Sequence, residues 1–201
     1  MRPLVLLAAL AITASCGSTA AAPTPTAIAT RLATAPVIRT AAPTAPVGSV
    51  CVVKPTTFVK APSKATITLE KGGTITIALR PDKAPNTVTN FANVALSGCY
   101  DGLTFHRVEP NFVIQGGDPA GNGTGGGTQP AEYNDLSFVK GAVGIARGQD
   151  KAINNKFQFY ICIGECKFLD GQYTNFGLVT DGQSVADGVK VGDKIKTITV
   201  E

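Results

Sequence analysis

Phe105-His106-Arg107-Val108-Glu109-Pro110-Asn111-Phe112-Val113-Ile114-Gln115-Gly116-Gly117-Asp118-Pro119 sets an arginine, apolar side chains and a glutamine amide at near-alternating positions before ending at Gly-Gly-Asp-Pro. In a strand, Phe112 and Ile114 face one way while Val113 and Gln115 face the other. Pro110 breaks the segment, so Arg107 belongs to an earlier strand that approaches the second across a turn. The product is a fixed guanidinium beside an apolar surface and a neutral amide. No thiol, carboxylate pair or serine–histidine arrangement accompanies it. Such a surface suits a neutral, partly apolar substrate whose chemistry needs no proton removed.

Outward from this stretch the chain reads as short strands. Ala65 to Leu69 and Thr74 to Leu79 alternate around Lys71-Gly72-Gly73, which predicts a hairpin. Pro85 precedes a helix from Asn86 or Thr87 to Leu96, with Val88, Phe91, Val94 and Ala95 on one face and Gly98 as its stop. Phe105 to Val108 and Phe112 to Gln115 follow, then a glycine-rich loop from Gly116 to Gly127. Gly141 to Ala146, Phe159 to Ile163, Thr174 to Val179 and Lys194 to Val200 complete the set. Short strands with few helices predict a mainly β antiparallel barrel or sandwich.

The opening stretch closely resembles the core signature of the cyclophilin family of peptidyl-prolyl cis–trans isomerases. Further matches are Thr74-Ile75-Thr76-Ile77-Ala78-Leu79, Ala84-Pro85-Asn86-Thr87-Val88-Thr89-Asn90-Phe91, Gln158-Phe159-Tyr160-Ile161 and Leu169-Asp170-Gly171. The resemblance runs from about Thr66 to Val200 and implies a closed eight-stranded antiparallel barrel with ligand on its outer face. One departure lies near the C-terminus. Only Ser184 to Gly188 is available for a helix that relatives carry in full, so the second helix is expected to shrink to about one turn.

The resemblance also implies the chemistry. Amide resonance imposes a rotation barrier of roughly 18–20 kcal/mol, and Xaa-Pro bonds exchange isomers over tens to hundreds of seconds. A donor aimed at the twisted amide supplies differential binding of the transition state. Arg107 takes this role, with Gln115 beside it. Phe112, Val113, Tyr160 and Leu169 correspond to the apolar pocket for the proline ring. Gln158 corresponds to an amide that holds the substrate backbone and orients the arginine. Ala146 and Arg147 correspond to the loop that binds residues preceding proline. Phe168 stands where many eukaryotic members have tryptophan, which implies weak cyclosporin binding, and Tyr173 stands where histidine is common. Asn154-Asn155-Lys156-Phe157 replaces a small Gly-Ser pair, so the loop from Arg147 to Gln158 is expected to differ in shape. No cofactor or metal is implied, and the protein is expected to act as a monomer. The competing readings are a proline-peptide binding module or holdase with little turnover, and a surface adhesin built on the same scaffold.

His106 is the only histidine, but amide rotation moves no proton, so a backbone-bonded structural role is expected. Gly121 to Gly127 lacks the Gly-Lys-Ser/Thr ending of a phosphate cradle.

Charge is uneven. All 14 acidic residues follow Leu69, whereas Arg2, Arg31 and Arg39 precede Cys51; removing these three from the 18 basic residues leaves 15 against 14. The net +4 therefore gives no argument for nucleic acid. Leu4 to Ile12 is a short apolar run behind Arg2, read as an export signal over residues 1–15. Thr13-Ala14-Ser15-Cys16 resembles a bacterial lipoprotein site, with lipidation at Cys16 and membrane attachment through it. Ordinary cleavage near Ala20 to Ala22 is the alternative. Residues 16–50 are mostly Ala, Thr and Pro, and from Gly17 to Val50 there is no acidic or aromatic residue. This composition reads as a tether reaching about 30–35 Å as a coil. Residues 51–201 are the expected domain. In an exported protein Cys51, Cys99, Cys162 and Cys166 suggest up to two disulfides with three possible pairings. Cys162 with Cys166 and Cys51 with Cys99 is the favoured set.

Overall fold

The computed structural model describes residues 51–201. The expected signal, the expected lipidation site at Cys16 and the expected tether lie outside the described residues. Alternation of small or β-branched polar residues with Ile and Leu forms the first hairpin, β1 (Lys64–Leu69) and β2 (Thr74–Leu79). Ala65, Ile67 and Leu69 face inward with Ile75, Ile77 and Leu79. Gly72 and Gly73 turn the chain with φ of 90° and 91°, a region closed to most side chains.

Helix α1 (Pro85–Leu96) begins with proline at its first position, where the missing N–H costs nothing. Its Ala84 cap offers no side-chain oxygen. Glu132, far along the chain, substitutes: its carboxylate accepts the N–H groups of Asn86 (3.0 Å) and Thr87 (2.6 Å). A negative charge there also complements the helix dipole. The buried face is Thr87, Val88, Phe91, Ala92, Val94 and Ala95. Phe91 packs against Tyr100, Phe159 and Phe176 with ring centroids 5.2–5.6 Å apart, which closes one end of the main core.

The remaining elements are β3 (Phe105–Glu109), β4 (Val113–Gly116), β5 (Thr128–Pro130), β6 (Ala142–Arg147), β7 (Ile153–Cys162), a 3-10 turn at Lys167–Leu169, β8 (Asn175–Asp181), α2 (Gln183–Asp187) and β9 (Ile195–Val200). All described pairings are antiparallel. The order is β3-β4-β7-β6-β8-β2-β1-β9, with β5 also on β7. This corrects the expected closed eight-stranded barrel in two respects. There are nine strands, because β5, just past the stretch read as loop, pairs with β7, and the curled sheet is open. β3 and β9 share no ladder. The turn through Lys190–Asp193 brings β9 only to the lead-in of β3, where Thr104 bridges Lys194 and the Phe105 N–H reaches the Asp193 carbonyl at 2.8 Å. The second helix is one short turn, as its sequence implied.

The cysteine sulfurs pair as Cys51–Cys99 and Cys162–Cys166, with Cα separations of 5.5 and 6.4 Å. Both separations suit a disulfide. Among the described residues no helix is long and apolar enough to cross a membrane, and no cluster of three His, Cys, Asp or Glu could hold a metal.

Candidate active site

Strand register places the arginine. Arg107 on β3 sits opposite Gln115 on β4, and Gln115 sits opposite Tyr160 on β7. The Gln115 Oε1 accepts Arg107 Nη1 at 3.3 Å, and Glu109 lies 3.4 Å from Arg107 Nε. Gln115 Nε2 donates to Gln158 Oε1 at 3.0 Å, and Gln158 Nε2 donates to the Gly125 carbonyl at 2.8 Å. Both glutamines are buried. Buried amides are costly unless paired, so this chain leaves each with a defined orientation.

Beside it lies a second apolar cluster, separate from the main core: Val113, Phe138, Ala142, Ala146, Tyr160, Leu169 and Tyr173, with Phe112 at its margin. Phe112 was expected to face with Ile114. It does not. Asn111 has φ 58°, and the turn it makes delivers Phe112 ahead of β4, where strand alternation does not govern it. Ile114 enters the main core, whereas Phe112 joins Val113 in the second cluster. The Arg107 guanidinium stands 5.9 Å from the Phe112 ring centroid, and the Phe168 ring packs against Phe112 with centroids 5.2 Å apart.

Arg147 is buried, lies 4.3 Å from the Tyr173 ring centroid, and donates to the carbonyls of Gln172 (3.1 Å) and Gly148 (2.9 Å). Burial pushes the Tyr173 hydroxyl up, with Arg147 opposing the shift. Tyr160 stacks on Phe138 and meets Tyr173 edge-on. Its hydroxyl is buried without a hydrogen-bond partner, and burial raises its pKa well above the ordinary value. The catalytic and substrate-binding candidates thus fall in one region: Arg107, Gln115 and Gln158 form the polar chain, and Phe112, Val113, Ala146, Arg147, Tyr160, Phe168, Leu169 and Tyr173 form or flank the apolar cluster.

His106 departs from expectation. Its Nδ1 is buried with no partner in place of the expected backbone bond, and burial lowers its pKa. Four contributors escaped the sequence reading. Phe138 floors the cluster and is held by Asp170, whose Oδ1 accepts its N–H at 2.6 Å. Gly144 leaves room for Tyr160, because a Cβ there would overlap the phenol. Asp118 pins the glycine loop by accepting N–H groups of Ala120, Asn122, Gly123 and Gly125. An aspartate ahead of a glycine run is a turn signal that could have flagged it. Asn155 was marked only as part of the run expected to reshape the loop before Gln158, with no role of its own.

The arrangement offers a fixed cationic donor beside a dry apolar surface. It can hold an apolar ring and polarise a neighbouring amide without proton transfer. The family profile for "Cyclophilin type peptidyl-prolyl cis-trans isomerase/CLD" matches residues 64–200. The chain is similar to a peptidyl-prolyl cis-trans isomerase of Synechococcus elongatus, with 39% identity over 142 residues that cover 69% of this chain and 96% of the relative. It is 43% identical over 138 residues to peptidyl-prolyl cis-trans isomerase B of Bacillus subtilis, covering 66% of this chain and 94% of that one. Its fold is similar to a crystal structure of a Cryptosporidium parvum cyclophilin in the presence of the dipeptide Ala-Pro. The TM-score is 0.63 at 26% identity, covering 69% of this chain and 98% of that one. A mainly β cyclophilin fold carrying a peptidyl-prolyl isomerase is therefore the class to which sheet, site and relatives all point. The chain belongs to the cyclophilin-type peptidyl-prolyl cis–trans isomerase family.

Proposed function

We propose that this enzyme isomerises Xaa-Pro bonds of exported or envelope proteins, with Arg107 as the catalytic donor and Gln115 as the group that holds it. The observation that carries the site is the register pairing of Arg107 with Gln115 beside a buried apolar cluster. In this reading Phe112, Val113, Tyr160 and Leu169 receive the proline ring. Phe168 and Tyr173 border it, and Ala146, Arg147 and Gln158 hold the residues before proline. A related cyclophilin crystallised in the presence of Ala-Pro supports an Xaa-Pro ligand. The amide nitrogen regains its lone pair as the bond twists, and a guanidinium N–H aimed at it or at the adjacent carbonyl stabilises that state more than the planar one.

The test is a proline-isomerisation assay on wild type and Arg107→Ala. Loss of a preorganised donor predicts a fall in kcat/KM on the order of 100-fold, with the melting temperature held. Peptide binding without acceleration by wild type would instead identify a holdase.

Export is supported by the apolar run from Leu4 to Ile12, by Cys16 and by two sulfur pairs suited to an oxidising compartment. Lipidation of Cys16 would anchor the enzyme at a membrane surface. In fractionated cells wild type is expected with the membranes and Cys16→Ala in the soluble extracytoplasmic fraction. Equal partitioning of both would remove the anchor from the proposal.

A further inference from the structure

Gln115 and Gln158 can each be turned end for end, exchanging oxygen for nitrogen, at no steric cost. Their orientation therefore has to be imposed. Gln115 presents Oε1 to Arg107 only if its Nε2 faces Gln158, and that requires Gln158 Oε1 in the facing position. Gln158 then presents Nε2 to the Gly125 carbonyl, an atom that can only accept. The polarity of both amides is thus fixed from two ends, by the Arg107 guanidinium, which can only donate, and by the Gly125 carbonyl.

Asn155 holds that end of the chain. It is buried, and its Nδ2 donates to the same Gly125 carbonyl at 2.8 Å. Its Oδ1 accepts the N–H groups of Phe157 (2.7 Å) and Gln158 (2.8 Å), which fixes the backbone from which the Gln158 side chain departs. Its own carbonyl accepts Gln129 Nε2 at 3.0 Å. The Gly125 N–H is taken by Asp118 Oδ1 at 2.9 Å, and a Cβ on Gly125 would run into that carboxylate. One side chain therefore ties the glycine loop to the strand that bears Gln158.

We propose that Asn155 is a positioning residue for the isomerase: by donating to Gly125 and accepting from the Gln158 backbone, it sets the amide chain that ends on Arg107. The inference rests on Arg107 being the catalytic donor.

The test uses the full chain, with kcat and KM measured separately for wild type, Arg107→Ala, Gln115→Ala, Asn155→Ala, Asn155→Asp and the Gln115→Ala/Asn155→Ala pair. Asn155→Ala is expected to lower kcat about tenfold with KM within about twofold, and to lower it no further in the Gln115→Ala background. Asn155→Asp keeps both acceptor bonds and so tests the donor even if Asn155→Ala folds poorly. When its carboxyl is ionised it cannot donate to Gly125; protonated, it can. Its kcat relative to wild type is expected to climb several-fold as pH is lowered from about 7 to about 4, across the carboxyl range. Asp118, the titratable group that accepts the Gly125 N–H, is common to both proteins and cancels in the ratio. Unchanged kcat in Asn155→Ala, multiplying losses in the double variant, or a pH-independent ratio for Asn155→Asp would each overturn the proposal. An active Arg107→Ala would overturn the active-site assignment itself, a distinct result.

Discussion

Two buried atoms without partners decide the clearest single-residue expectations. The Tyr160 hydroxyl is sealed between Phe138 and the backbone of Gly144 and bonds to nothing. An unpaired buried hydroxyl costs about 1–3 kcal/mol, so Tyr160→Phe is expected to stabilise the protein by about 1 kcal/mol. For a domain of this size that raises the melting temperature by about 2–4 °C. Scanning calorimetry showing a lower melting point would mean that the hydroxyl is bonded in solution. His106 gives the pH dependence. Burial holds its folded pKa below the ordinary value, while in the unfolded chain it titrates near about 6.5. Below that pH the unfolded state takes up a proton that the folded state refuses, so stability falls with pH until folded His106 protonates too. Thermal unfolding between about pH 7 and pH 5 is expected to show a smaller decline for His106→Gln than for wild type; an equal decline would assign it to other groups. Neither atom was legible in the sequence. Tyr160 read as part of the apolar pocket, but the room for its phenol depends on Gly144, sixteen positions away in sequence and against it in space. Arg107 and Gln115 were legible because a short turn brings them together.

At the scale of elements, the two sulfur links act on different parts. Cys51–Cys99 closes a long loop and reaches the chain just past the end of α1, and neither of its sulfurs belongs to the apolar cluster beside Arg107. Cys162–Cys166 closes a short one: the intervening Ile163 N–H bonds the Phe112 carbonyl at 2.8 Å, and both sulfurs lie in the cluster with Val113 and Tyr160. Chain entropy puts the first at about 4 kcal/mol and the second at about 2 kcal/mol. Denaturant unfolding of the paired Cys→Ser variants is expected to follow that order. Activity is expected to follow the reverse order, with only the Cys162/Cys166 variant losing kcat/KM. Equal activity of both would detach the second link from the groove. Helix α1 and most strands were readable from apolar spacing, whereas β5 was not. Its three residues, Thr128-Gln129-Pro130, lack alternation and owe their extended form to pairing with Asn154 and Asn155 on β7. Likewise the N-terminal turn of α1 depends on Glu132, which no local pattern could identify as a cap.

Across the whole molecule, the sheet curls around one core and carries a second, smaller apolar cluster on the face bearing Arg107. Sequence pattern allowed a barrel or a sandwich, and closure came only by resemblance. The seam between β3 and β9 is bridged beside the strands at Thr104 and Lys194, a spatial relation that strand periodicity does not encode. The Cys51–Cys99 link has a mechanical consequence as well. Residue 51 is where the described domain begins, and its sulfur is joined to the chain just beyond α1. A pull applied through the preceding residues enters at Cys99 through a covalent bond and bypasses residues 52–63, which lead into β1. Were the chain held by the residues ahead of Cys51, load would be directed to the end of a helix and away from the first strand, β1.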